Sequence, residues 1–154
     1  ESLLSDKGQS LNILSNNSIF CECDEKLIKQ VLVNLFSNAI KFSPENSTIT
    51  VDIKETSDED KRSLIEVIVQ DQGVGIPTDE LKNIFDHFEQ SERTKTNAGG
   101  TGLGLSISKM IIELHQGKIW TLTSGYVVSC ITFLRGYVQL FFVSISNLLT
   151  ICMV

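Results

Sequence analysis

Three groups of residues in this 154-residue chain have the types and spacing to do chemistry. Gln30, Asn34, Asn38 and Lys41 follow one another at intervals of four, four and three, which places them on one face of a helix. Two carboxamides and a lysine along such a stripe suit a metal-bound polyphosphate. An Asn carbonyl oxygen is a fitting ligand for a hard cation such as Mg²⁺, and Lys supplies a point charge for phosphate. The second group is Asp71-Gln72-Gly73-Val74-Gly75-Ile76-Pro77, directly after an apolar run. A carboxylate at a strand end can accept a hydrogen bond from an exocyclic amine and so select adenine. Glycines at 73 and 75 permit positive φ and close approach of a ligand to the backbone. The third group is Gly99-Gly100-Thr101-Gly102-Leu103-Gly104-Leu105, leading into a helical pattern. Unpaired N–H groups and the positive dipole end at a helix start favour phosphate. This stretch lacks the Gly-Lys-Ser/Thr of a Walker A loop, and no strand immediately precedes it as a dinucleotide fingerprint requires. Taken singly, the three also read as a solvated helix face, a strand-to-helix turn and a flexible linker.

The elements that must hold these groups are readable from periodicity. Leu27, Ile28, Val31, Leu32, Leu35, Phe36, Ala39 and Ile40 recur at helical spacing after a capping Asp24, and the helix should stop near Phe42, because Pro44 disfavours helical geometry at Ser43. Residues 9–15 suit a short strand. Ile49, Val51 and Ile53 alternate with polar neighbours, and residues 64–71 form a second strand after a charged loop, which favours an antiparallel pair. Thr78 is expected to cap a short helix towards Phe85, and residues 89–102 read as a long polar loop. A further helix with Leu105, Met110, Ile111 and Leu114 on one side precedes two strands, Lys118 to Thr123 and Tyr126 to Leu134. The order predicts an α+β fold, a two-layer sandwich in which about three helices cover one mixed, largely antiparallel sheet.

Composition narrows the function. A net charge of −6 and a pI near 4.9 leave no broad basic face for a nucleic-acid backbone. All acidic residues lie at or before Glu113, and after Lys118 the only charged side chain is Arg135. Four scattered cysteines argue against a disulfide scaffold and for a reducing compartment; Cys21 and Cys23 have no second pair to complete a zinc site. The first residues lack the basic start and apolar core of a signal peptide, and read as the end of a linker from a preceding domain. The uncharged stretch 136–154 is long enough to just span a bilayer, but its polar residues favour buried strand material or a tail foreign to the domain.

The three groups in this order resemble the ATP-binding domain of two-component sensor histidine kinases, within the gyrase, heat-shock chaperone, histidine kinase and mismatch-repair ATPases. Residues 34–42 (NLFSNAIKF) look like the N box and 71–77 (DQGVGIP) like the first glycine box. Residues 84–90 (IFDHFEQ) are similar to the phenylalanine box and 99–108 (GGTGLGLSIS) to the second glycine box, with 113–120 (ELHQGKIW) matching the segment that follows. The resemblance implies a Bergerat-type fold over residues 1–125, its last strand continuing to 134, with 126–154 a divergent apolar segment. It implies Mg²⁺ held by Asn34 between the phosphates of ATP, with Asn38 and Lys41 at phosphate or ribose. Asp71 would accept from the adenine amine, and Gly73 and Gly75 would let the base pack on the backbone. Phe85 and Phe88 would anchor a lid over residues 89–100 that includes Lys95, and Gly100, Gly102 and Gly104 would form the phosphate-facing helix start. Ile76, Thr101 and Leu103 fall within the same nucleotide-binding boxes.

In relatives that hydrolyse ATP, a glutamate stands where this chain has Gln30, and an amide is no general base at neutral pH. The expectation is therefore a domain that positions ATP for transfer to a histidine on a separate dimerisation domain, with a response regulator downstream and a cytoplasmic location. His87 and His115 both lie inside the ATP-binding resemblance and are not expected to be that phosphoacceptor. The alternatives are a non-catalytic nucleotide-binding regulatory module and an inactive truncated product. Val128 stands where the family's final turn has its second glycine, and beyond Arg135 nothing matches, so a damaged last strand would leave the sheet short of an edge.

Overall fold

The structure, a computed structural model, describes residues 3–14, 19–81, 83–86, 102–123, 127–134 and 142–144. The long helix α2 (Glu25–Phe42) forms where the apolar periodicity places it. Asp24 caps it, its carboxylate accepting from the Leu27 N–H at 3.0 Å, and Ser43 ends it in extended geometry, as a residue preceding proline must be. Ile28, Val31, Leu32, Leu35, Phe36 and Ala39 are buried along one side. Each large apolar side chain so buried contributes about 1.5–3 kcal/mol.

The strands β1 (Ser10–Ile13), β3 (Thr48–Ser57), β4 (Ser63–Asp71), β5 (Lys118–Thr123) and β6 (Val127–Leu134) form one sheet in the order β1-β3-β4-β6-β5. Only β1 and β3 pair in parallel; β3–β4, β4–β6 and β5–β6 are antiparallel. Strict alternation in β3 and β4 puts Ile49, Val51, Ile53, Ile65, Val67 and Val69 on the face beneath α2. The fold is therefore α+β, helices on one face of a mixed sheet. The strand expected at an edge, β6, instead lies between β4 and β5, with Ile131 opposite Val67 and Ile119. A separate two-stranded ladder joins β2 (Phe20–Glu22) to β7 (Phe142–Ser144) in the uncharged C-terminal stretch. Among the described residues, no helix is long and apolar enough to cross a membrane.

Two expectations are corrected. The helix predicted from Thr78 is a series of turns, in which Leu81 N–H reaches the Pro77 carbonyl and Ile84 N–H that of Glu80 without a continuous ladder. One isolated turn fixes many dihedrals for one bond and does not propagate. In α3 (Gly104–Leu114) the inward residues are Ser106, Ser108, Ile111 and Ile112, with Leu105 packed at the margin, whereas Met110 and Leu114 are exposed. Small serines on the inner side let α3 approach α2 closely. A four-residue α1 (Leu3–Asp6) completes the described helices.

Candidate functional site

Two of the three groups meet on α2. Asn34 is half-buried at mid-helix and donates through Nδ2 to Ser108 Oγ of α3 at 3.0 Å. That bond turns its carbonyl oxygen to the start of α3, where Oδ1 is the atom a Cβ on Gly104 would strike first. Any side chain at 104 would have to push the Asn34 amide aside. The residue before the helix, Leu103, supplies no side-chain cap, while its carbonyl accepts from Ile107 N–H and Ser106 Oγ. Gly102 ahead of it has φ +71°, a conformation glycine adopts at no cost. A cavity of about 260 Å³ opens here, lined by Gln30, Val33, Asn34 and Ser37 of α2 and by Gly104, Ile107 and Ser108 of α3.

The other group meets the C-terminal end of the same helix. Asp71 closes β4, only 6% exposed, and its Oδ1 accepts from the Gly73 N–H at 2.7 Å. Burial pushes its carboxyl up to about 6, against the opposing pull of that hydrogen bond. A Cβ on Gly73 would lie 2.7 Å from Asp71 Oδ1 and 3.1 Å from the Phe42 carbonyl oxygen, so the turn needs glycine to sit this near α2. Gln72 N–H donates to Ser43 Oγ, and Gln72 Oε1 accepts from Thr48 N–H, both at 3.3 Å. Gly75 has φ +77°, and Ile76 is half-buried beside it.

Asn38 and Lys41 are half-buried on α2 between these two meeting points, and Lys41 Nζ lies 5.0 Å from the centroid of the Phe42 ring. Phe85 is half-buried and Ile84 buried. Lys95, Gly100 and Thr101 lie outside the described residues, as do His87 and Phe88. His115 is buried, its Nδ1 2.8 Å from the Ile111 carbonyl oxygen while Nε2 accepts from the Asp24 N–H at 3.2 Å. It ties the end of α3 to the start of α2 and is not poised to receive a phosphate. The sequence motifs include Ser108 and Gln72, and the helix stop includes Ser43, but the bonds their side chains make depend on partners 24 to 74 positions away and were not foreseen.

The sequence profile of the histidine kinase-, DNA gyrase B- and HSP90-like ATPases matches residues 23–135. The chain belongs to that ATPase family. Within it, the sensor histidine kinase WalK of Bacillus subtilis is 37% identical over 125 residues, 80% of this chain and 20% of that protein. The adaptive-response sensory kinase SasA of Gloeothece citriformis is 42% identical over 113 residues, 71% of this chain and 27% of that protein. Among solved structures, the catalytic domain of the histidine kinase ThkA superposes with a TM-score of 0.70 at 33% identity, covering 86% of this chain and 83% of that one. The ATPase-family chain is thus an ATP-binding catalytic domain of the sensor histidine kinase type. It spans about a fifth to a quarter of the length of these curated relatives.

Proposed function

We propose that this domain binds Mg-ATP along α2 and presents the γ-phosphate to a histidine on a separate dimerisation domain, in two-component signalling with a response regulator downstream. The reading places it in the cytoplasm, where ATP is available, and gives it no nucleic-acid partner. The observation that carries the reading is the apposition of Asn34 with the glycine start of α3, at one end of a span that ends in Asp71. Asn34 and Phe42 are about 12 Å apart along the helix axis, a separation suited to a nucleotide with its base at the Asp71 end and its phosphates at the Gly104 end.

The residues fit the absent groups. An amide oxygen aimed at a helix start, held by a hydrogen bond through its nitrogen, is an oxygen donor for a hard cation. Mg²⁺ bound there would neutralise phosphate charge and favour departure of the γ-phosphoryl group. In this reading Asn34 holds the cation, Asn38 and Lys41 meet phosphate or ribose, and Gly102, Leu103 and Gly104, continuing from Gly100 and Thr101, offer backbone N–H groups to phosphate. Lys95 adds a positive charge from the preceding loop. Asp71 accepts from the adenine amine, while Gly73, Gly75 and Ile76 pack against the base. Gln30 lines the cavity without a basic group, which fits positioning for transfer over hydrolysis.

Calorimetric titration of ATP and ADP with and without Mg²⁺ tests the reading, with Asp71→Asn and Asn34→Ala alongside. The expected Kd lies between about 1 μM and 1 mM, roughly −8 to −4 kcal/mol, and is lost in Asp71→Asn. Transfer of labelled γ-phosphate to an added dimerisation domain then separates a kinase from a purely regulatory nucleotide-binding module. A folded protein that binds no nucleotide overturns the proposal and favours the inactive product.

A further inference from the structure

The carbonyl end of α2 is gripped by two side chains from a segment that contains none of the nucleotide-binding boxes. The Lys7 ammonium donates to the carbonyls of Ile40 (2.9 Å), Lys41 (2.8 Å) and Ser43 (3.1 Å). The Gln9 amide nitrogen donates to those of Ile40 (3.1 Å), Ser43 (3.2 Å) and Pro44 (3.0 Å). Four carbonyls at a helix end that normally look to water or a glycine cap are thereby satisfied from one side. The lysine charge also sits at the negative end of the helix dipole.

The grip is specific for donors. Gln9 is buried, and its Oε1 finds no hydrogen-bond partner among the described residues, so the amide is oriented for its nitrogen at the expense of its oxygen. The segment is itself held in place. Lys7 O accepts from Asn46 N–H at 2.9 Å, Ser10 N–H donates to Ser47 O at 3.0 Å, and β1 pairs with β3 from Ser10 to Ile13. From the gripped end, the path to the site is short. Ser43 gives its carbonyl to Lys7 and its hydroxyl to the Gln72 N–H, and Gln72 lies between Asp71 and Gly73.

We propose that Lys7, assisted by Gln9, is a positioning residue for nucleotide binding: its triple grip on the end of α2 holds Ser43, and through it the Asp71–Gly75 turn, where an adenine base is received. Lys7 itself touches no nucleotide. The proposal rests on the reading of that turn as the adenine end of the site.

The test compares Lys7→Met, Lys7→Arg and Asp24→Ala in the full chain, by ADP titration and thermal melting. Asp24→Ala removes the cap at the opposite end of the same helix, which makes it a control for loss of helix stability alone. Lys7→Met is expected to weaken ADP binding about tenfold at a temperature where it is fully folded, with Lys7→Arg restoring most of the affinity. Asp24→Ala should lower the melting temperature while leaving ADP affinity within about twofold. Amide resonances of Gln72 and Gly73 should shift in Lys7→Met and stay in place in Asp24→Ala. Should Lys7→Met not fold, Gln9→Met removes a donor from the same grip and is expected to weaken ADP binding in the same direction. Unchanged affinity in folded Lys7→Met, or equal losses in Lys7→Met and Asp24→Ala, overturns the role of Lys7 while the adenine site stands. A wild-type chain that binds no ADP overturns both.

Discussion

Replacing Gly104 by alanine separates binding from folding at the contact of α2 with α3. Gly104 is not among the positive-φ residues, so alanine is conformationally acceptable there and by helix propensity favourable by up to about 1 kcal/mol. The added Cβ, however, would lie 2.8 Å from Asn34 Cγ and 3.0 Å from Nδ2, and nearer still to Oδ1. Asn34 ends in a rotatable amide, so the side chain yields and its bond to Ser108 is lost. That loss costs about 1 kcal/mol and cancels the propensity gain. The melting temperature should therefore stay within roughly 3 °C of wild type. Binding has no such compensation: on the proposed placement of Asn34 at the metal, displacing its amide should weaken Mg-ATP affinity by about 10–100-fold, the range for losing a group that orients a metal ligand. Titrations with ATP in Mg²⁺ and in EDTA, beside thermal melts, read both quantities. The penalty should appear in Mg²⁺ and largely vanish in EDTA. Combining Gly104→Ala with Asn34→Ala should add little, because both remove one interaction. Mg-ATP affinity within about twofold of wild type in a folded Gly104→Ala protein would refute the placement of Asn34 at the metal.

Asp71 gives a pH dependence of definite sign. Its carboxyl, held near 6 against an ordinary 3.8, keeps its proton in the folded state where the unfolded chain has lost it. Stability should thus fall as pH rises from about 4 to about 6, and Asp71→Asn should remove that slope and gain about 1–2 kcal/mol at neutral pH, as urea titrations will show. If Asp71 accepts from adenine as proposed, ATP affinity of the wild type should rise through pH 6 as its carboxylate forms. Gly117→Ala would drive a Cβ into the Thr132 carbonyl of β6, with its carbon at 2.8 Å and Ile112 Cγ2 at 2.9 Å. Backbone cannot swing aside, and a loss of about 2–4 kcal/mol is expected in chemical denaturation. Gln116 follows α3 at φ +53°, with its N–H on Glu113 O and that of Gly117 on Ile112 O. Gln116→Gly at this helix-terminating position should therefore stabilise by about 0.5–1 kcal/mol, visible as a higher melting temperature.

Whatever depends on neighbours along the chain was legible from residue order alone. The apolar spacing from Leu27 to Ile40, the Asp24 cap and the Ser43-Pro44 stop define α2 within a residue, because each acts within one or two helical turns. Alternation in residues 49–53 and 64–71 defined β3, β4 and their inward faces for the same local reason. The boxes named most of the candidate site, since the positive φ of Gly75 and the close approach at Gly73 call for a residue without a side chain, a need visible in residue type. Tertiary structure alone decided that β6 enters between β4 and β5, because alternation says which face a strand buries and is silent about which neighbour it pairs with. It also decided that α3 turns Ser106 and Ser108 inward while Met110 and Leu114 stay outside, a choice made by how closely α2 approaches. The hold of Lys7 and Gln9 on the end of α2 joins residues 31 to 36 positions apart. No local pattern encodes such a contact, because it exists only once β1 has paired with β3 and carried the segment to the carbonyls it holds.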